Sequence, residues 1–178
     1  TYLSDESGAD NVWISKADGT DARQITHETH AMVAGPAWSS DGKSIASVIT
    51  YSDIFRVRNS EIHLYGIDDG SEEIVVPPPT SGKDVQEPRF APNGRHLYYT
   101  ERIGGDHYVY MNTGLKNFAI KRLDLETGER KKAISGFGGA STPQISPNGK
   151  SIAFIRRLGA KTVLFVKDLE SGYEEPIY

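Results

Sequence analysis

The sequence predicts an all-β fold, a β-propeller of four-stranded antiparallel blades, and three observations support this prediction. The first is a recurring line, which reads GPAWSSDGKSIA at 35–46, EPRFAPNGRHLY at 87–98 and TPQISPNGKSIA at 142–153. The second is its spacing of about 50 residues, which is typical of repeat arrays. The third is an apolar-polar alternation after each line, which favours strands. Four strands in each repeat match a propeller blade.

Each repeat divides into four predicted strands, A to D. Strand A ends at Trp38, Phe90 or Ile145, and we expect Trp38 to pack in the blade core. An Asp-Gly or Asn-Gly pair then forms a tight turn, because these residues tolerate a positive φ. Strand B is the apolar run after this turn. Strand C is the alternating segment, with copies VWISKADG at 12–19, IHLYGIDDG at 62–70, FAIKRLDLETG at 118–128 and VLFVKDLESG at 163–172. A second glycine turn leads to strand D.

The repeat count predicts a partial propeller of three full blades plus most of a fourth. Strand C occurs four times, whereas the recurring line occurs three times. The predicted blades cover roughly residues 1–27 (incomplete), 34–76, 86–134 and 141–178. Propellers typically have about 4–8 blades, so we expect the chain to be part of a longer protein. A β-sandwich is the alternative fold, but it does not need a recurring line of this kind.

The composition is that of a globular protein, with 37% hydrophobic and 25% charged residues. The net charge of −4 predicts no nucleic-acid partner. No apolar run approaches the ~20 residues that a membrane-spanning helix needs, so no membrane span is expected. Cysteine is absent from the sequence, which excludes disulfides, thiol catalysis and cysteine-bound zinc.

The connections between strands predict which end of the blades contacts other molecules. The A–B and C–D turns are uniformly tight, whereas the B–C and D–A connections are long. Binding residues concentrate in loops on a rigid scaffold, and recognition surfaces are enriched in aromatic residues and arginine. The candidate contact surface is therefore Phe55, Arg56, Arg58, His107, Tyr108 and Tyr110. The alternative is that these loops fill the mouth of the propeller or pack on a neighbouring domain.

Other residues able to carry chemistry are interpreted as structural. His27 and His30 lie in one loop without a third metal ligand nearby in the sequence. The Asp-Gly turns lack the alternating acidic ligands of a calcium loop. No GxSxG motif occurs in the sequence. We therefore expect no catalytic, cofactor-binding or metal-binding residue in this chain, and we keep Arg156 and Arg157 as reserve candidates for the contact surface.

The chain resembles a known repeat. Residues 1–26, TYLSDESGADNVWISKADGTDARQIT, and the three recurring lines are similar to the repeat of TolB-like, or WD-like, β-propellers. The resemblance covers nearly the whole chain and implies the propeller fold. It does not imply one function, because TolB, prolyl-oligopeptidase-like peptidases and tricorn-type peptidases share this repeat. It favours a periplasmic or secreted location over a cytoplasmic one.

A longer resemblance points to one subgroup of these proteins. The stretches that carry it are HLYYT at 96–100, FAIKRLDLETGE at 118–129, GGASTP at 138–143, SPNGKSIAFIRR at 146–157 and LFVKDLESG at 164–172. They look like amidohydrolases in which a TolB-like propeller precedes a metal-dependent barrel. In those proteins the barrel hydrolyses C–N bonds with histidine and aspartate metal ligands. The resemblance implies that a divalent metal and the catalytic residues belong to a barrel outside this chain. The insertion GGDHYVYMNTGL at 104–115 departs from the form expected for the subgroup.

The resemblance implies that this chain is a scaffold, docking or substrate-gating module. Its partners would be the remaining blades and a catalytic domain of the same protein, or another protein. Two alternatives stay open. One is a TolB-type protein-binding propeller of the envelope, and the other is the gating propeller of a prolyl-oligopeptidase-like or tricorn-like peptidase.

Overall fold

The computed structural model of the chain describes residues 1–52, 58–79, 84–103 and 118–177. All helix-or-strand structure in these ranges is β-strand, and the strands form four antiparallel sheets. Each sheet is built from strands that follow one another along the chain, so neighbouring strands pair as hairpins. This order is that of a propeller blade, and the predicted all-β fold of four-stranded blades is confirmed.

The first compact unit, Thr1–Pro88, contains two sheets. The three-stranded sheet has the order β1 (Tyr2–Ser4), β2 (Asn11–Ile14) and β3 (Arg23–Gln24). The four-stranded sheet has the order β4 (Met32–Trp38), β5 (Ser44–Ser52), β6 (Arg58–Gly66) and β7 (Glu72–Val76). The two sheets share one apolar core, formed by Val12, Ile14, Ala31, Val33, Ile45, Ile49, Tyr65 and Ile67.

The second compact unit, Arg89–Tyr178, also contains two sheets. The first consists of β8 (Val85–Phe90), which begins just before the unit boundary, β9 (His96–Arg102), β10 (Phe118–Asp124) and β11 (Arg130–Ile134). The second consists of β12 (Ser141–Ile145), β13 (Ser151–Leu158), β14 (Lys161–Asp168) and β15 (Glu174–Ile177).

The core of the second unit lies between its two sheets. Tyr98, Ile120 and Ile134 come from one sheet, and Phe154 and Phe165 come from the other. The two phenylalanine rings stack with their centroids 5.6 Å apart. Full burial of such side chains contributes about 1.5–3 kcal/mol each, so this cluster holds the two sheets face to face.

The recurring proline of each line follows a residue in the left-handed region of φ. These residues are Gly35, Glu87 and Thr142, with φ of 61°, 55° and 57°. In β4 and β12 the ladder shifts register at this point, which is the mark of a β-bulge. The repeat therefore encodes a backbone kink in addition to a turn, which the sequence alone did not indicate.

The prediction that Trp38 packs in the core is wrong. Trp38 is 38% exposed, whereas its neighbour Ala37 is buried. Trp38 is the last residue of β4, and β4 is an edge strand of its sheet, so the residue has a neighbouring strand on one side only. The equivalent residues Phe90 and Ile145 are half-buried.

Candidate functional surface

Most residues of the predicted contact surface fall outside the described part of the chain. Phe55, Arg56, His107, Tyr108 and Tyr110 are in segments that the structure does not describe. The sixth, Arg58, begins β6, and its backbone pairs with Ser52 of β5. The part that these six residues play in recognition stays a prediction.

The A–B turns have the structural role that the sequence predicts. In the first, the Asp41 carboxylate accepts hydrogen bonds from the Ser39 hydroxyl at 2.6 Å and from the Lys43 backbone N–H at 3.0 Å. In the last, the Asn148 side chain accepts the same two bonds from Ser146 and Lys150. The Ser39 bond, followed by the Lys43 backbone bond, lowers the pKa of Asp41.

The carboxylates of the C–D turns also bind their own backbone. Asp18, Asp69 and Asp168 each accept a backbone N–H from a residue two or three positions later in the turn. These bonds, with the hydroxyl bonds from Thr20, Ser71 and Ser171, lower the pKa of each carboxyl group. For Asp18 and Asp69, these contacts confirm the prediction that the acidic residues of the turns serve turn geometry.

The turn after β10 contains the most strongly held carboxylate of this kind. The Arg95 side chain donates from Nη2 at 2.6 Å and from Nε at 2.8 Å to Oδ2 of Asp124. Oδ1 of Asp124 accepts the backbone N–H groups of Glu126 and Thr127. The bond from Arg95 is the largest cause that holds the pKa of Asp124 well below its usual range. This pair ties the A–B turn of the sheet to its C–D turn.

A hydrogen-bonded triad of Glu61, His63 and Glu72 lies in the first unit, and the sequence did not indicate it. The ring of His63 lies between two carboxylates, with Nε2 at 2.7 Å from Glu61 and Nδ1 at 2.7 Å from Glu72. His63 and Glu61 are buried, whereas Glu72 is exposed. Both ring nitrogens of His63 therefore have a carboxylate oxygen within hydrogen-bonding distance. The contact between β6 and β7 depends on the bond between His63 and Glu72 as well as on the backbone ladder.

The environment of this triad is acidic. Burial raises the pKa of Tyr65, and the Glu72 and Glu28 carboxylates raise it further. Tyr51 is affected in the same way, since burial and then Glu28 raise its pKa. A cavity of about 480 Å³ adjoins these groups, lined by residues that include Arg23, His27, Glu28, Tyr65, Asp68, Asp69 and Glu72. The charged side chains that line this cavity are mostly acidic.

His27 and His30 match their interpretation as loop residues, and His107 lies outside the described residues. His27 is exposed and His30 is exposed, while His96 is half-buried in β9. Within the ranges that the structure describes, no group of three or more His, Cys, Asp or Glu side chains is placed to hold a metal ion. Residues 1–52, 58–79, 84–103 and 118–177 also include no helix long and apolar enough to cross a membrane.

Arg156, held in reserve as a contact residue, is buried and structural. Its Nε donates to the carbonyl of Gly139 at 3.2 Å, and its Nη1 pairs with the Glu174 carboxylate of β15. Its guanidinium carbon lies 5.0 Å and 5.1 Å from the ring centroids of Phe154 and Phe165. Such contacts join a cation to aromatic faces, so Arg156 fastens the loop before β12 to the core.

Comparison with known proteins defines the class of fold. No family model matches the sequence, and no curated protein matches it either. Solved structures do match. TolB from Acinetobacter baumannii is 23% identical with a TM-score of 0.76, over 98% of this chain and 39% of that protein.

Two further structures give the same result. A TolB-type protein from Agrobacterium tumefaciens is 19% identical with a TM-score of 0.70, over 97% of this chain and 58% of its own. The tricorn protease is 12% identical with a TM-score of 0.65, over 96% of this chain and 19% of its own. The chain thus has the fold of TolB-like β-propellers and spans only part of the length of each of these proteins.

Proposed function

We propose that this chain is the non-catalytic propeller portion of a metal-dependent amidohydrolase-type protein. In this proposal a barrel outside these residues hydrolyses a C–N bond and holds the divalent metal. The propeller acts as a scaffold, as a docking surface or as a gate for substrate. We place the protein in the periplasm or outside the cell, by its resemblance to TolB-like proteins.

The observation that carries the proposal is that, in the second unit, the stretches resembling the amidohydrolase subgroup form strands of the TolB-like fold. The chain has a TolB-like fold along almost its whole length. The stretches at 118–129, 146–157 and 164–172 form β10, β13 and β14 with their turns, and these are the stretches that resemble the amidohydrolase subgroup. Within these stretches, Asp124 pairs with Arg95, and Asp168 accepts backbone N–H groups of its own turn. Charged side chains that stabilise turns in this way agree with a scaffold role.

A second candidate is a TolB-type protein-binding propeller. The specific observation in its favour is the TM-score of 0.76 with TolB, which is higher than the 0.65 with the tricorn protease. The match with the tricorn protease favours the third candidate, a gating propeller of a peptidase. At 12–23% identity these likenesses establish the fold only.

The test is the gene sequence together with an activity assay. An HxH-bearing barrel encoded after the codon for Tyr178 supports the amidohydrolase, a GxSxG hydrolase domain there supports the peptidase, and a stop codon there supports the TolB-type protein. The purified chain, incubated with acyl-amino-acid and dipeptide substrates and added Zn²⁺, should show no turnover. The full-length protein, assayed in parallel, should hydrolyse at least one of them. Turnover by the pure chain would overturn the assignment of catalysis to another domain.

A further inference from the structure

The repeat places a glutamate at the same position of two sheets. Glu72 begins β7 and Glu174 begins β15, and each of these strands is the last of its sheet. Glu72 pairs with Tyr65 of β6. Glu174 pairs with Lys167 of β14 at the corresponding place in the ladder. The two carboxylates are therefore structurally equivalent, and their surroundings can be compared directly.

In the last sheet, this carboxylate is paired with cations of the chain itself. Nη1 of Arg156 pairs with one oxygen of Glu174, and Nζ of Lys167 lies 3.8 Å from the other oxygen. The guanidinium of Arg156 is buried and also contacts the rings of Phe154 and Phe165. A guanidinium group thus occupies the space beside Glu174.

In the first unit, the equivalent positions carry no cation. Ile49 follows the turn glycine of its repeat at the place where Arg156 follows its own. Tyr65 stands in the ladder where the last sheet has Lys167. Within residues 1–52, 58–79, 84–103 and 118–177, no lysine or arginine is ion-paired with Glu72. The sheet therefore keeps the carboxylate of the repeat without the guanidinium that accompanies it in the last sheet.

A cavity opens beside this carboxylate. Its volume is about 480 Å³, which falls within the range of small-molecule sites. Tyr65 and Glu72 line it from one sheet, and Glu28 lines it from the loop before β4. Asp68 adds a further exposed carboxylate at the turn between β6 and β7. In the part of the chain that the structure describes, neither Glu28 nor Asp68 is ion-paired with a lysine or an arginine.

The other charged side chains of the cavity wall include one that is tied to the backbone and one that is tied to its own turn. Nη2 of Arg23 donates to the carbonyl of Ile67 at 2.9 Å, which fixes this guanidinium at the wall. The Asp69 carboxylate accepts the backbone N–H and the hydroxyl of Ser71. The carboxylates of the cavity outnumber its one arginine, so the cavity complements a cationic ligand.

We propose that this cavity binds the guanidinium group of a ligand, with Glu28 and Glu72 as acceptors and Asp68 beside them. The bound group takes the place that Arg156 has in the last sheet, because planar guanidinium N–H groups match carboxylate oxygens. Nδ1 of His63, 2.7 Å from Oε1 of Glu72, positions that carboxylate. The ligand is an arginine side chain of a peptide or a small free guanidine. The site lies wholly in the first unit, so it does not depend on the proposed catalytic barrel.

The experiment is calorimetric titration of the full-length protein with four compounds. N-acetyl-arginine amide represents a peptide side chain, and methylguanidine represents a free guanidine. N-acetyl-citrulline amide has nearly the same shape as the arginine compound but carries no charge, and N-acetyl-lysine amide carries its charge on an ammonium group. Both guanidinium compounds should bind about tenfold more tightly than the citrulline and lysine compounds. Tighter binding of the arginine compound than of methylguanidine identifies a peptide, and the reverse order identifies a free guanidine.

Three variants locate the binding in the cavity. Glu72→Gln and Glu28→Gln should each weaken binding of the arginine compound about tenfold, because each removes a charged acceptor. Glu73→Gln is the matched control, since Glu73 is the next residue of β7 and pairs with Leu64, on the opposite face of the sheet. It should change the affinity by less than about twofold. Thermal melting checks the folding of Glu72→Gln, which also alters the bond to His63, and Glu28→Gln gives an independent measurement.

Several results would overturn the proposal. They are no binding of either guanidinium compound, equal affinity for the arginine and citrulline compounds, and equal affinity for the arginine and lysine compounds. Losses from Glu73→Gln as large as those from Glu72→Gln and Glu28→Gln would also overturn it, because they would reflect net charge and not the cavity.

Discussion

At the scale of single residues, the glycines of this chain differ in what surrounds them. Gly138 and Gly172 both have positive φ, at 81° and 76°. A Cβ on Gly138 would overlap the carbonyl group of Arg157, whereas a Cβ on Gly172 would meet no atom within 4 Å. The first glycine is needed for a close approach of two chain segments, and the second only for a turn.

Gly138→Ala and Gly172→Ala therefore form a matched pair. Gly172→Ala should cost about 1–2 kcal/mol, the usual penalty of left-handed backbone for an L-residue. Gly138→Ala should cost more than this, because the loop must also move away from β13. Urea unfolding of both variants measures the difference. Equal losses of unfolding free energy would show that the contact between Gly138 and Arg157 is not tight in solution.

At the scale of strands and turns, Arg156 is the residue that joins separate elements. Its side chain reaches Gly139 before β12, Ser135 after β11 and Glu174 of β15. A planar guanidinium presents five N–H donors in a fixed fork that spans separate acceptors, whereas an ammonium group presents three from a single nitrogen.

Arg156→Lys should destabilise the chain although it preserves the charge. We expect a loss of about 1–3 kcal/mol, because two or more hydrogen bonds in a buried place are left without a donor. Arg157→Lys is the control, since Arg157 is the exposed neighbour on the same strand. Thermal and urea denaturation should leave the control within about 0.5 kcal/mol of the original chain. If Arg156→Lys left the free energy of unfolding unchanged, this result would contradict the anchoring role of Arg156.

The pair of Arg95 and Asp124 predicts a dependence on pH. The pKa of Asp124 is lower in the folded chain than its unfolded value of about 3.9. A carboxyl group of this kind stabilises the fold above the unfolded pKa, and its contribution is lost as the pH falls toward the folded pKa. The contribution should thus be complete at pH 7 and decline progressively below about pH 4.

Arg95→Gln tests the direction of this change in stability with pH. The variant should be less stable than the original chain at pH 7, and the difference between their urea midpoints should shrink as the pH is lowered below about 4. Lys132→Gln removes an exposed positive charge from β11 and serves as the control for net charge. A difference between Arg95→Gln and the original chain that stays constant down to about pH 2 would show that Asp124 does not respond to Arg95.

The sequence predicts those parts of the fold that depend on contacts between residues close together in the chain. Asp41-Gly42 and Asn148-Gly149 define their turns by contacts within a few residues, so the hairpins around them could be predicted. The triad of Glu61, His63 and Glu72 could not, because it depends on the pairing of β6 with β7 and on a register shift beside His63. The wrong prediction for Trp38 has a similar cause. The large indole ring predicts burial, but the position of β4 at the edge of its sheet decides how much of the ring is exposed.

At the scale of the whole chain, repetition allows equivalent positions to be compared directly. Ile120 pairs with Ile134 in one sheet, and Leu164 pairs with Ile177 in the next. In strand C, Ile120 and Leu164 both lie four residues before the aspartate that ends the strand, whereas in strand D a register shift places Ile134 one residue further from its turn than Ile177. Ile120 and Ile134 are buried, whereas Leu164 is 45% and Ile177 48% exposed. Sequence repeats predict that Ile120 and Leu164 are equivalent, but only the packing of sheet on sheet decides which of them contributes to the core.

This difference predicts unequal effects of the same truncation. Ile120→Ala should cost about 2–5 kcal/mol, because it removes fully buried methyl groups and leaves a cavity beneath β12 to β15. Leu164→Ala should cost less than about 1 kcal/mol, because water already reaches the side chain. Urea unfolding of the two single variants and of the double variant gives the comparison. Since Ile120 and Leu164 lie in different sheets, the two losses should add within about 0.5 kcal/mol. A Leu164→Ala loss as large as that of Ile120→Ala would mean that something covers the outer face of the last sheet in solution, such as a second copy of the chain, and sedimentation at several concentrations would then show it.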